Sequence, residues 1–240
     1  MIWTATGSGL AGPRRRVCPT GTMALVIHLE WRRMSFVFDS GARTSVESPM
    51  LAGPFSKAFE VDPLGYTSVL GVQFKPGAAR AFFPIPSDEL HNVDVPLDDL
   101  YLGEGTRLKD QVGSAVGIAE QVRVVERYLE GKLGHAMCVH PAVRHALGEF
   151  ARRPGVVADV VAGIGVSHTR FIQLFRESVG LTPKLYCRIQ RFQKVLAAIE
   201  RGRESWAELA SECGYFDQAH LIHEFRAFSG TTPSVYLDAG

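Results

Sequence analysis

The chain is short of cysteine, of long apolar runs and of net charge, and each shortage removes a class of protein. Its four cysteines, Cys18, Cys138, Cys187 and Cys213, form no CxxC pair. That suits reduced thiols in the cytoplasm better than a disulfide framework or a zinc knot. No apolar stretch approaches the ~20 residues needed to span a bilayer. The opening MIWTATGSGLAGPRRR lacks the order of a secretory signal, so no membrane partner is expected. A formal charge of +1 gives no global field for nucleic acid, and any such signal has to be local.

What is present is enough apolar material for real cores, 46% of 240 residues, in two differently patterned halves. Short apolar or alternating runs occupy the first third: MALVIHLEW (23 to 31), MSFVF (34 to 38), KAFEV (57 to 61) and TSVLGVQF (67 to 74). Glycine- and proline-bearing turns separate them, and without alternating long helices they predict an antiparallel barrel or sandwich. The period then changes. GAARAFF reads as a short helix after Pro76, PIPSDELHNVDVPLDDL as a looped crossover, and two helical segments follow near 106 to 112 and 117 to 133. The second carries Ile118, Val122, Val125, Leu129 and Leu133 at helical spacing, a stripe that requires a partner. GKLGHAMCVHP interrupts the period and marks a boundary. The expected domains are 1–134, β-rich with helices at its end, a linker at 135–140, and an all-helical 141–240.

The last hundred residues repeat at an interval of 50. Ile172, Phe175, Arg176, Gly180, Thr182, Pro183 and Tyr186 recur as Ile222, Phe225, Arg226, Gly230, Thr232, Pro233 and Tyr236. Each copy has an apolar helix, a glycine turn and a capping residue, Ser167 or Asp217. A second helix then ends at glycine before Thr-Pro. This is the helix-turn-helix plan, twice, over about 156–180 and 206–230. A helix over 183–200 joins them, ~27 Å long, and can hold the second helices about one turn of B-DNA apart, ~34 Å. Charge is local here too. From Arg144 to Arg203 eleven Lys or Arg stand against four acids, whereas after Arg203 Arg226 alone faces six acids. The second copy therefore has a weak grip on phosphate.

The segments GVSHTRFIQLFRESVGLTPKLY and ASECGYFDQAHLIHEFRAFSGTTPSVY resemble the two signature halves of the AraC/XylS type of tandem helix-turn-helix transcriptional regulator, across residues 141 to 238. CPTG-x-x-x-L-V-I and GVQFKPGAARAFF resemble a less common amino-terminal sensor of that family. The resemblance implies a cupin-like β-domain followed by helices, which binds a small-molecule effector or forms a homodimer. It also implies double-stranded DNA and RNA polymerase as partners, with no cofactor and no catalytic residue. It implies a leading strand and a tryptophan-containing segment before CPTG, which this chain is expected to have shortened or lost.

On the face opposite the apolar anchors, the first copy carries Thr169, Ile172 and Gln173, suited to thymine methyl and adenine contacts. By the resemblance, Ala219, His220 and His223 are the base-facing residues of the second copy. Arg152, Arg153, Arg170, Arg176, Arg188, Arg191, Lys194 and Arg226 are the phosphate-facing candidates. The two histidines are alternatively solvated surface residues or metal ligands. HxxHE is not the order of a zinc peptidase, and further ligands are missing. His28, Trp31, Phe55 and Phe59 are candidates to line an effector pocket. His28 and Glu30 give HxE where a metal cupin carries HxH, which leaves a cupin-type enzyme fused to a DNA-binding tail as one alternative. A protein-interaction module is the other.

Overall fold

The computed structural model describes residues 1–6, 15–29, 34–38, 41–46, 49–61, 68–133, 139–152, 157–202 and 205–238. Nine strands lie in its first hundred residues: β1 (Ile2–Thr6), β2 (Arg15–Val17), β3 (Ala24–His28), β4 (Met34–Phe38), β5 (Arg43–Val46), β6 (Met50–Ala52), β7 (Phe59–Val61), β8 (Ser68–Gln73) and β9 (Asp94–Pro96). They form a five-stranded sheet in the order β1-β8-β3-β6-β9 and a four-stranded sheet β2-β7-β4-β5. Every pairing among the described strands is antiparallel.

The centre of the larger sheet is apolar on both faces because both are covered. Val26, Met50 and Val69 meet Phe36 and Val61 of the other sheet. Leu25, Ile27, Leu51, Leu70 and Val72 face outward onto helices. A strand buried on two sides reads as a continuous apolar run, as ALVIH does. The covering helices are α1 (Leu97–Leu100), α2 (Glu104–Ser114) and α3 (Ile118–Lys132). In the α3 stripe Val125 and Leu129 reach this core, while Ile118 and Leu133 at the two ends are exposed.

Two expectations are corrected here. The leading strand and its tryptophan are present. β1 pairs with β8 over five residues, placing Trp3 opposite Gly71. A Cβ at Gly71 would collide with the Trp3 ring, so only glycine accommodates it. The crossover also contains β9, which pairs with β6 and completes the larger sheet. At three residues, β9 is too short to show a period.

Among the described residues seven more α-helices follow: α4 (Pro141–Arg152), α5 (Val157–Ala162), α6 (His168–Val179), α7 (Pro183–Glu200), α8 (Trp206–Glu212), α9 (Gln218–Ser229) and α10 (Pro233–Asp238). Their shared core is organised on α7. Toward its start Tyr186 meets Phe150 and Phe175. Further along, Phe192 meets Phe225 and Phe228 at ring separations of 5.2 and 5.4 Å. No helix among the described residues is long and apolar enough to cross a membrane.

The β-domain holds the C-terminal ends of both α6 and α9. Ser87 Oγ donates to the Ser178 carbonyl at 2.9 Å, and the Ala58 amide donates to the Phe228 carbonyl at 2.8 Å. Ser178 and Phe228 are equivalent positions of the 50-residue repeat. The same last-turn carbonyl of each helix thus receives a donor from the first domain, filling an acceptor the helix itself leaves open. Arg16, paired with Glu60, donates to the Ser229 carbonyl. Gln190 and Gln193 of α7 donate to the carbonyls of Thr20 and Pro19. Gly180 lies so close to Pro54 and Ser87 that a Cβ there would collide with both.

The Trp3–Gly71 contact is tested by a double-mutant cycle. Gly71→Ala should cost about 1–3 kcal/mol of unfolding free energy by overpacking. In a Trp3→Ala background the same change should cost little, because the obstructing ring is gone.

Candidate nucleic-acid interface

The second helix of each copy begins at a side-chain cap. Ser167 Oγ accepts from the Arg170 amide at 3.3 Å, and Asp217 Oδ1 accepts from the His220 amide at 2.7 Å. Gly180 and Gly230 end the two helices with φ of 86° and 77°, the left-handed conformation that side chains avoid. Between caps, an apolar stripe fixes which face is left outside. In α6 Phe171, Leu174, Phe175 and Val179 are buried. Thr169 and Gln173 are exposed and Ile172 is half-buried beside them. In α9 Leu221, Phe225 and Phe228 are buried, while Ala219 and His223 are exposed.

Gln173 stands in a surface chain. Arg170 donates to its Oε1 at 3.0 Å, and its Nε2 donates to Glu177 at 2.9 Å. Both ends of the amide are held by surface partners, the exposed Arg170 and the half-buried Glu177, that a base edge can replace at little cost. His220 is arranged differently from His223. Its ring stands edge-on to Tyr215 at 5.3 Å, and its Nδ1 accepts from the Phe216 amide. That is a reciprocal cap, the third helical residue reaching back past the N-cap. It fixes the tautomer with the proton on Nε2. His220 thus belongs partly to the turn, and His223 is the freer of the two.

Two of the expected phosphate-facing arginines are turned into the protein. Arg188 Nε and Nη2 each lie 2.7 Å from the Glu224 carboxylate in a bidentate pair. Glu224 occupies the repeat position where the first copy has Leu174. Burial alone would raise its pKa, but the hydrogen bonds and charge of Arg188 hold it below the usual carboxylate value. Arg191 donates to the Gly214 carbonyl at 3.0 Å and lies over the Tyr215 ring. Both arginines brace α7 against the second copy, because α9 offers Arg188 an acid and the turn before α9 offers Arg191 a carbonyl and an aromatic face. No local pattern in α7 reveals this. Arg176 is exposed but leans toward Asp88 of the first domain, 3.5 Å away. Arg152, Arg170, Lys194 and Arg226 are exposed cations. Arg153 lies outside the described residues.

Phe55 and Phe59 stack together with Phe38, their own centroids 4.9 Å apart. Trp31 lies outside the described residues. His28 is 3% exposed, and neither ring nitrogen has a partner. Burial, and then the charge of Lys109, push its pKa down to about 4. A second polar group missed by the sequence reading shares its sheet face. Asp94, in register with Ala52, has both carboxylate oxygens buried without partners, and burial pushes its pKa up to about 7. Only the pairing of β9 reveals it, since Asp94 follows a turn and reads as a surface acid.

Residues 160–239 match the family model of a helix-turn-helix domain, and residues 1–96 match that of a domain of unknown function, DUF6597. A comparison with curated proteins by sequence found no match. Among solved structures, apo ToxT from Vibrio cholerae strain SCE256, in a variant form, superposes with a TM-score of 0.55 at 10% identity, covering 100% of this chain and 97% of that one. ToxT from Vibrio cholerae O395 gives 0.52 at 10% identity, with 99% and 96% covered. At that identity the likeness is one of fold. It extends over both domains and their order.

Two outcomes follow from the buried charges. Glu224→Ala should cost about 2 kcal/mol in chemical denaturation, less than a fully buried pair because Arg188 is partly exposed. Arg188→Met combined with Glu224→Leu should recover most of it. The folded pKa of Asp94 lies above its ordinary 3.8, so the stability linked to its proton is complete below that value and lost as pH rises through about 7. Asp94→Asn should therefore raise stability by about 2 kcal/mol at pH 8 and by much less at pH 4, read from thermal melts across pH.

Proposed function

We infer, from a chain that carries an AraC-type helix-turn-helix domain at its carboxyl end, a transcriptional regulator that binds DNA sequence-specifically with both copies of its repeat. The observation that carries this reading is the pair of capped helices α6 and α9, anchored by equivalent aromatics on one helix and leaving Thr169, Ile172, Gln173, Ala219 and His223 on their outer faces. His220 contributes its Nε2 hydrogen at the edge of the second face. Arg152, Arg170, Lys194 and Arg226 supply the charge that neutralises phosphate. Arg188 and Arg191 position α9.

The β-domain is the regulatory half. An effector entering the sandwich near His28 and Asp94, or a homodimer formed through α3, acts on α6 and α9 through the hydrogen bonds that hold their last turns. Such a ligand shifts the population of DNA-competent arrangements. The protein works in the cytoplasm, with RNA polymerase as its further partner.

Selection of bound sites from random duplexes tests the reading. Wild type should select two short motifs whose centres are about ten base pairs apart. Gln173→Ala should erase preference in one motif and His223→Ala in the other. In a salt series, Lys194→Gln should lower the slope of log affinity by about 0.9, whereas Arg191→Gln should leave the slope nearly unchanged while weakening stability. Binding without any salt dependence would exclude the reading.

A further inference from the structure

Phe216 is 92% exposed, the most exposed aromatic side chain among the described residues. It is also held on a rigid support. Its amide donates to His220 Nδ1, and the amide of the preceding residue, Tyr215, donates to the Ala210 carbonyl at 2.8 Å. Asp217, which follows, is the N-cap of α9. Tyr215 is itself buried and fills the core beneath the turn. The ring of Phe216 is therefore displayed outward by a fixed backbone, immediately before the helix whose first turns carry Ala219 and His223.

The repeat supplies the comparison. The equivalent residue of the first copy is Val166, half-buried and packed against the domain core. A hydrophobic residue just before an N-cap ordinarily packs inward against the first turn of its helix. In the second copy the corresponding residue is larger and does not pack inward; its ring stands in water. The surroundings of Phe216 are acidic as well: Glu208, Glu212 and Asp217 precede or cap the helix, and Arg226 is the sole arginine or lysine after residue 203. This copy cannot hold DNA by charge as the first one does.

We propose that Phe216 is a DNA-contacting, specificity-determining residue, covering the methyl group of a thymine and the adjoining deoxyribose at the outer edge of the second half-site. When the start of a recognition helix enters the major groove, the residue preceding its cap lies over the groove wall. There, apolar contact with a thymine methyl reads sequence without needing a cation. The ring is already exposed immediately before the cap of the helix that carries Ala219 and His223, so the contact needs no rearrangement of the turn.

The inference rests on the DNA-binding reading, and one experiment separates the two. Duplexes selected from a random pool by the full-length wild type are titrated with wild type, Phe216→Leu and Phe216→Ala, using duplexes with each thymine replaced in turn by uracil. Phe216→Ala should bind about ten-fold more weakly with an unchanged melting temperature and an unchanged salt slope, and Phe216→Leu should retain most of the affinity. One uracil replacement in the second half-site should weaken wild type several-fold and Phe216→Ala not at all. Equal affinity of wild type and Phe216→Ala, or a uracil cost identical in both, overturns the proposal and leaves DNA binding intact. Failure of the wild type to enrich any duplex overturns the DNA-binding reading and this inference with it.

Discussion

The burial of α7 is the constraint on which the rest of the helical domain depends. Tyr186, Ile189, Phe192, Val195 and Ile199 all lose their water, and the aromatic anchors of both repeats close on them. A helix with apolar residues on so much of its circumference cannot stand alone in solvent. It is stable only while both copies are docked, so the copies are fixed to one rod rather than tethered by a flexible linker. The Arg188–Glu224 pair adds direction to this. Apolar packing sets how close α9 lies, and the bidentate geometry limits how it rotates.

The first domain imposes a second restraint of a different kind. It places hydrogen-bond donors on the equivalent carbonyls of α6 and α9, from Ser87 on one side and Ala58 on the other. Close contact at Gly180 leaves no room for slack there. The donors come from one folded body, so the last turns of both helices are tied to it. Two unpartnered polar groups of that body, His28 and Asp94, lie on the face where the two sheets meet. Their titrations run in opposite directions: His28 resists protonation and Asp94 resists losing its proton. Acidification therefore weakens one contribution as it strengthens the other.

Legibility differed between the halves for physical reasons. α4, α6, α7 and α9 are long and strongly periodic, α6, α7 and α9 begin at side-chain caps, and α6 and α9 end at glycines, so these helices are readable almost residue by residue. The central strands β3, β4 and β8 are legible from their apolar runs. β2, β6 and β9 are not: each has three residues and, unlike the equally short β7 at the end of the run KAFEV, exists through its neighbour rather than through its own pattern. β1 escaped notice because its tryptophan is accommodated by a glycine 68 positions later. Among the site residues, outward placement of Thr169, Gln173, Ala219 and His223 follows from helical period alone. The inward turn of Arg188 and Arg191 does not, because a basic residue on a helix looks the same whether its partner is water or an acid from elsewhere in the chain.

The amino-acid sequence by itself determined the duplicated scaffold, its caps and stops, and the faces each helix buries, since these depend on spacing within a few turns. Only the tertiary structure decided which charges are free, which histidine is committed to its own turn, and which carbonyls the first domain holds. Those depend on partners brought together from distant positions, and an arginine or a carbonyl carries no local mark of the group that will satisfy it.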